Sequence, residues 1–323
     1  MCTAITYKTK DVYFGRTLDI ECSYGEEVIV TPRHFAFDFR HTGEQKSHYA
    51  IIGMGTVREG YPLYYEAANE YGLGMAGLNF PTNACYFALQ EGKDNISPFE
   101  FIPWLLGKSK TVREAREHLS RLHLCNTPFS ADLPLSPLHW MIVDRKESVV
   151  VESLADGLHV YENPVGVLTN NPPFFYHLWH LCDYTTLSGE PPVAHLGKEF
   201  LTPYSRGMGA MGLPGDFSSA SRFVRAAFVR QNAVSEGDEM ASVGQFFHIL
   251  GAVEQVRGCV RLEDGRLELT AYTSCINLDR GVYYYTTYDN RAISAVDLHK
   301  CDLDGGELLR FFLNTEQKIT WQN

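Results

Sequence analysis

Along the first third of the chain, hydrophobic and polar residues follow the short runs that are typical of β-strands. Residues 3–9 alternate between apolar and polar positions, and residues 49–54 form an apolar run with the length of a buried strand. The strands predicted here are 3–9, 12–15, 27–30, 49–54, 63–67 and 74–78.

The period then lengthens to that of helices. Ser97 is followed by Pro98 and, three residues on, by Glu100, which is a capping box with proline at the first helical position. It predicts a helix to about Leu106, which Pro103 is expected to kink or shorten. A second capping box at 111–114 predicts a helix towards residue 123. Further helices are predicted after the prolines at 172 and 173, over 219–232 and over 240–256.

Strands return in the second half of the chain, at 138–143 and 148–152 as a hairpin, and at 267–272, 281–288 and 292–297. Blocks of strands thus flank blocks of helices, without regular alternation of strand and helix. This order favours an α+β layered fold. The chain has no internal repeat or clear linker, so residues 1–323 are predicted to form one domain.

Charge and the amino terminus exclude several classes of protein. The chain has 28 basic and 39 acidic residues, a net charge of −11, and no dense basic run. We therefore expect no nucleic-acid partner and no binding to an anionic membrane surface. There is no signal-peptide pattern and no apolar run of about 18 residues, so a cytoplasmic protein is expected.

Motifs for metals and cofactors are weak. The eight cysteines contain no CxxC pair, which excludes zinc ribbons, and most are expected to be buried thiols. The GxGxxG runs at 72–77 and 207–212 lead into prolines and not into helices, so they do not predict nucleotide binding. His177, His180 and Cys182 lack an evident fourth ligand nearby, so the histidines are interpreted as packing or surface residues. No metal or cofactor is predicted.

Cys2 is the candidate nucleophile. Removal of Met1 would leave a thiol and a free α-amine on one residue, and an amine with a pKa near 8 can act as a base at neutral pH. Taken alone, a cysteine at this position is more readily interpreted as a buried strand residue. A hairpin pairing residues 2–9 with 12–18, however, would bring Arg16 and Asp19 back beside it.

These residues resemble the choloylglycine hydrolase family of N-terminal nucleophile hydrolases, which includes bile salt hydrolases and penicillin V acylases. The similarity spans the whole chain. Besides Met1-Cys2-Thr3 and Phe14-Gly15-Arg16-x-Leu18-Asp19, matching segments occur in the same order at 69–73, 76–81, 138–140, 168–172, 212–216, 221–225 and 283–288.

The resemblance implies a four-layer αββα sandwich and a role for each matched residue. Cys2 would be the nucleophile and its α-amine the base, with Arg16 favouring the thiolate and Asp19 accepting from the amine. Asn79 and Asn170 would position the amide and supply oxyanion donors, with Asn79 the better candidate. Arg222 would complete the polar network. Thr17 replaces the family's usual asparagine and is expected to affect only local packing.

The resemblance also implies a substrate and an assembly. Asparagine at 79, where the family's penicillin acylases tend to have tyrosine, favours conjugated bile salts cleaved through a Cys2 thioester. Arg58 is expected at the rim of the pocket, and segment 186–206 implies a homotetramer. The residues expected to line the steroid pocket are Leu18, Tyr65, Phe129 and Leu133.

Two alternatives remain open. The chain could be a penicillin V acylase or an N-acyl homoserine lactone acylase of the same family. It could also be a catalytically silent member of the fold that only binds a ligand.

Overall fold

The computed structural model describes residues 1–193, 195–196 and 200–323. Residues 194 and 197–199, part of the segment expected to make subunit contacts, lie outside the described residues. The strands, numbered in chain order, are β1 (Cys2–Lys8), β2 (Val12–Ile20), β3 (Glu27–Thr31), β4 (Phe37–Phe39), β5 (Gly43–Gln45), β6 (Ile51–Arg58), β7 (Tyr61–Asn69), β8 (Gly74–Asn79), β9 (Asp94–Ile96), β10 (Leu122–Leu124), β11 (Leu138–Val143), β12 (Ser148–Leu154), β13 (Gly157–Glu162), β14 (Val167–Leu168), β15 (Val260–Arg261), β16 (Leu267–Asn277), β17 (Val282–Thr287), β18 (Ser294–Asp297) and β19 (Leu309–Phe312). The helices are α1 (Phe101–Leu106), α2 (Val112–Leu119), α3 (Phe174–Leu181), α4 (Ser219–Asn232) and α5 (Glu239–Gly251).

Two large antiparallel sheets form the centre of the molecule. The first has the strand order β14-β1-β2-β16-β17-β18 with β15 paired to β16, and the second has the order β13-β12-β11-β8-β7-β6-β3-β19. Helices α4 and α5 pack on the first sheet, and α1 packs on β7 and β8 of the second. The four-layer αββα sandwich is therefore confirmed.

Strand alternation explains why several strands are apolar on both faces. In β3, Val28 and Val30 join the cluster between the two sheets, whereas Ile29 joins the cluster under α1 and α2. Ile52 and Ile51 of β6 divide in the same way. Successive side chains of a strand point to opposite faces, so a sheet covered on both sides needs continuous apolar runs.

The helices differ from the sequence prediction mainly at their ends. The first begins with a 3-10 turn, Pro98–Glu100, and α1 starts at Phe101. Pro103 is tolerated because it lies in the first turn of α1, where backbone N–H groups have no partner within the helix. Helix α2 ends at Leu119, not near residue 123, because Leu122–Leu124 pairs with β9. No helix in the described part of the chain is both long and apolar enough to cross a bilayer.

The cysteines are less buried than expected. All eight lie within the described residues and are free thiols, but only Cys2, Cys125 and Cys275 are buried. The exposed ones are Cys22, Cys182 and Cys259. Burial depends on which elements cover a residue, which residue type alone does not determine.

Candidate active site

The β1–β2 hairpin brings the predicted nucleophile and its partners together. In its antiparallel register, Cys2 lies opposite Leu18 and Ala4 lies opposite Arg16. Residues directly opposite each other place their side chains on one face, so the side chains of Cys2, Arg16 and Leu18 share the face between the two sheets. Asp19, one residue on, belongs to the other face.

Arg16 is fully buried between the two sheets. Its guanidinium donates to the Gly77 carbonyl of β8 at 2.5 Å. Burial acts to lower the pKa of Arg16, but the acidic groups around it, Cys2 foremost, raise it overall. Arg16 is therefore a permanent positive charge on the face of β1–β2 that carries the thiol.

Glu66 of β7 is a buried partner of Arg16 that sequence reasoning missed. Its Oε2 lies 3.8 Å from Arg16 Nε and accepts from the Tyr272 hydroxyl at 2.7 Å, while Oε1 accepts from the Tyr283 hydroxyl at 2.5 Å. Burial raises the pKa of Glu66, and Arg16 opposes that rise. The available signal was one acidic residue inside the apolar run 63–67.

Asp19 is held on the opposite face by two hydroxyl groups. Thr270 donates to Oδ1 at 2.6 Å, and Thr17 donates to Oδ2 at 3.3 Å. Burial raises the pKa of Asp19, against the lowering effect of Arg222. The expectation that Thr17 affects only local packing is therefore wrong, since residues two apart on a strand share a face.

A β-bulge in β16 makes this arrangement possible. Thr270 pairs with Asp19 and Tyr272 pairs with Leu18, with the register shift between them. In a regular strand Thr270 and Tyr272 would point to the same face, because they are two residues apart. The bulge lets them pair instead with Asp19 and Leu18, which are adjacent and point to opposite faces of the sheet.

Asn170 and Arg222 hold the backbone of Cys2. The Cys2 nitrogen donates to Asn170 Oδ1 at 2.8 Å, and Arg222 donates to the same oxygen at 2.7 Å. Arg222 also donates to the Cys2 carbonyl at 2.5 Å and to the Thr3 hydroxyl at 2.6 Å. Asn170 Nδ2 donates to the Asn79 carbonyl at 2.7 Å. The residue that accepts from the Cys2 nitrogen is therefore Asn170, whereas Asp19 was expected in this role. The Asn170 amide nitrogen, which was expected to donate to an oxyanion, donates here to the Asn79 carbonyl.

Met1 is present in the structure. Its ammonium group donates to the Asp19 carbonyl at 2.7 Å and to the Glu268 carboxylate. Burial raises the pKa of Glu268, and the ammonium group opposes this. The Cys2 nitrogen is therefore a peptide nitrogen here, and it becomes the α-amine only when Met1 is removed. Nothing in the alternating sequence around Glu268 distinguished this residue.

A cavity of about 560 Å³ opens beside Cys2. All four predicted pocket residues line it, as do Asn79, exposed at the end of β8, and Arg58. The Arg58 guanidinium donates to the Tyr24 carbonyl at 2.9 Å. Lining residues that the sequence did not predict include Phe99, Ile102 and Trp140.

The histidines considered for a metal have other contacts. His177 is buried, and its Nε2 lies 2.9 Å from the Asn170 carbonyl. His180 lies 3.6 Å from Asp183. Over residues 1–193, 195–196 and 200–323, no three His, Cys, Asp or Glu side chains gather as a metal site requires.

Comparison with known proteins points to one family. Residues 2–311 match the profile described as linear amide C–N hydrolases, choloylglycine hydrolase family. A protein named bile salt hydrolase/transferase from Lactiplantibacillus plantarum is 52% identical over 98% of both chains. One of the same name from Clostridium perfringens is 40% identical over the full length of both.

Solved structures agree in fold. A variant of conjugated bile acid hydrolase from Clostridium perfringens superposes with a TM-score of 0.93 at 40% identity, covering both chains completely. Penicillin V acylase from Agrobacterium tumefaciens superposes with a TM-score of 0.76 at 20% identity, covering 97% of this chain and 92% of that one. The second likeness concerns the fold alone.

Proposed function

The chain belongs to the choloylglycine hydrolase family of linear amide C–N hydrolases, and from this premise we propose that it hydrolyses the amide bond of glycine- or taurine-conjugated bile salts. The observation that carries the proposal is the position of Cys2 at an apolar-walled cavity of about 560 Å³. That volume is within the range of small-molecule sites. The names of the full-length relatives support the same substrate class.

Acylation begins after loss of Met1. The Cys2 α-amine takes the thiol proton, and the thiolate attacks the amide carbonyl, so that a C–S bond forms and the carbonyl oxygen becomes an oxyanion. Asn79 donates to this oxyanion, while Arg16 favours the thiolate. The protonated amine then gives its proton to the leaving nitrogen. The C–N bond breaks, and glycine or taurine leaves with the acyl group held on Cys2 as a thioester.

Deacylation uses the same base. The α-amine takes a proton from water as the water attacks the thioester, and collapse returns that proton to the thiolate and releases the bile acid. Asn170 and Arg222 keep the Cys2 backbone in place in both steps. Attack by a second amine instead of water would give acyl transfer, the other activity in the names of the relatives.

The pocket residues give the proposal its substrate. Leu18, Tyr65, Phe129 and Leu133 present apolar surface to the steroid body, whose burial favours binding in proportion to the area covered. Arg58 at the mouth lies where a conjugate's anionic group could approach a cation. Because the chain as a whole is negatively charged, such local arginines must supply the attraction.

The test separates the substrates and the mechanism. Purified enzyme is incubated with glycine-conjugated bile salt, taurine-conjugated bile salt and penicillin V, and the released amine is quantified. We expect release from the bile salts, loss of Met1 by intact-mass measurement, and no turnover by Cys2→Ser. Cys259→Ser, which alters an exposed thiol, is the matched control. Retained Met1, or a fully active Cys2→Ser enzyme, would exclude the mechanism, and preference for penicillin V would favour the acylase alternative.

We also propose that residues 1–323 act as one domain. The first sheet uses chain segments from both ends, and β19 near the carboxyl terminus pairs with β3 in the second sheet. No single cut in the chain therefore separates the two sheets. One cooperative unfolding transition in calorimetry would support this, and two resolved transitions would oppose it.

A further inference from the structure

We infer that two buried histidines, His139 and His177, are positioning residues for Asn170. The inference rests on the proposed function, because it concerns the asparagine that contacts the Cys2 nitrogen. His139 lies on β11 and His177 on α3. Both side chains are completely buried.

The two imidazoles hold consecutive carbonyl groups. His139 Nε2 lies 2.8 Å from the Thr169 carbonyl, and His177 Nε2 lies 2.9 Å from the Asn170 carbonyl. A carbonyl only accepts, so each Nε2 carries a proton and donates it. Both peptide groups that follow Thr169 and Asn170 are therefore fixed from outside the loop.

A carboxylate fixes the first histidine in turn. His139 Nδ1 lies 2.9 Å from Glu152 Oε1, and the same oxygen accepts from the Phe174 N–H at 2.9 Å. Since Phe174 is the first residue of α3, Glu152 ties His139 to the helix that carries His177. His139 also stacks on Phe80, with ring centroids 4.2 Å apart.

The second histidine is fixed by stacking. Its ring stacks on that of Phe223 of α4, with centroids 4.8 Å apart. Phe223 directly follows Arg222 in the sequence. Helix α4 therefore fixes the His177 ring through Phe223 and also carries the Arg222 guanidinium that orients the Asn170 side chain.

The consequence is a precise direction for the Asn170 side chain. Its carboxamide makes three contacts of 2.7–2.8 Å, with the Cys2 nitrogen, Arg222 and the Asn79 carbonyl. All three depend on where the Asn170 backbone lies. Since a misplacement of about 1 Å can cost about a hundredfold in rate, a donor that fixes this backbone should affect the chemical step.

The experiment compares two amides at one position. In His177→Gln the side-chain nitrogen reaches the place of imidazole Nε2, whereas in His177→Asn the shorter chain places it near Nδ1. We expect His177→Asn to lower kcat by about ten- to a hundredfold with KM changed by less than about threefold, because an unpaired buried carbonyl is costly and the steroid pocket is untouched. His177→Gln should keep most of kcat. His180→Asn, on the same helix, is the control and should match the parent.

The readouts distinguish positioning from mere stability. All rates are expressed per folded molecule that has lost Met1, and a parental kcat in His177→Asn, or an equal loss in both variants, would overturn the inference. If the parent enzyme cleaves no bile salt, the proposed function is wrong and the inference needs a test that does not depend on turnover. The pH profile of Cys2 alkylation by iodoacetamide then tests the inference, which predicts a displaced profile in His177→Asn and the parental profile in His177→Gln. A parental profile in both would refute it.

Discussion

His177 should make the enzyme lose stability in mild acid, and His177→Gln should remove that loss. The Nε2 proton donates to the Asn170 carbonyl, and the ring is fully buried. Burial lowers the pKa of His177 to about 4, and the positive charges of His139, Arg222 and His180 also lower it. The hydrogen bond to the Asn170 carbonyl acts in the opposite direction and raises this pKa. The folded protein therefore excludes a proton that the unfolded chain accepts.

The magnitude follows from that difference in pKa. An unfolded histidine has a pKa of about 6.5, so the two states differ by about 2.5 units, at about 1.4 kcal/mol per unit. Above pH 6.5 the ring is neutral in both the folded and the unfolded state, so it does not change the free energy of unfolding. As the pH falls from 6.5 towards 4, the unfolded chain binds the proton first, and the free energy of unfolding drops by about 2 kcal/mol at pH 5 and by about 3 kcal/mol at pH 4.

Urea unfolding from pH 7.5 to 4.5 measures this effect. The parent should show a steeper fall in the free energy of unfolding than His177→Gln, by up to about 1.4 kcal/mol per pH unit. Carboxyl groups whose pKa burial raises, such as Asp19 and Glu268, titrate in both proteins and cancel in the difference. His159→Gln controls for removal of a histidine near the surface. Parallel curves for the parent and His177→Gln would refute the assignment of a neutral buried ring.

Three further outcomes are expected. Glu66→Gln should lower the free energy of unfolding by about 3 kcal/mol, because Arg16 then remains as a buried cation without its carboxylate; an unchanged urea midpoint would contradict this. Phe129→Ala should raise KM for bile salts several-fold and leave kcat nearly constant in steady-state assays, since it removes apolar contact area common to bound substrate and transition state; a selective fall in kcat would place Phe129 in the chemistry. Light scattering after size exclusion should give four chain masses, and a monomer mass would reject the homotetramer.

The layered fold was predictable because its signals are local. Alternation, apolar runs and capping boxes marked most strands and helices, and Thr111 does cap α2 by accepting from the Glu114 N–H at 3.2 Å. The errors lie where tertiary pairing decides. In sequence, residues 122–124 resemble the end of a helix, but in the structure they pair with β9. No local sequence pattern indicates a strand partner about 28 residues away.

The site was predictable as a set of residues but less so as a set of contacts. The amino-terminal thiol and the predicted hairpin indicated Cys2 and Arg16, the family resemblance added Asn170, and the structure brings the three residues together. Neither the sequence pattern nor the resemblance indicated Glu66 or the role of His177, because both act through groups whose position depends on the packed fold. His177 presents only a histidine on a helix to the reader of the sequence, and a buried packing residue was the reasonable expectation. Its contact with a backbone carbonyl has no residue-type signature.

Charge is organised on both faces of the β1–β2 hairpin. Between the sheets, Arg16 pairs with Glu66, and on the helix side Arg222 opposes the burial-induced rise in the pKa of Asp19. Because strand side chains alternate, consecutive residues of β2 belong in turn to the charged group between the sheets and to the one on the helix side. Thr17, between Arg16 and Leu18 in sequence, therefore contacts Asp19 and does not line the cavity beside Cys2. A substitution at Leu18 should alter the pocket, whereas one at Thr17 should alter the surroundings of Asp19, although the two residues are neighbours in the chain.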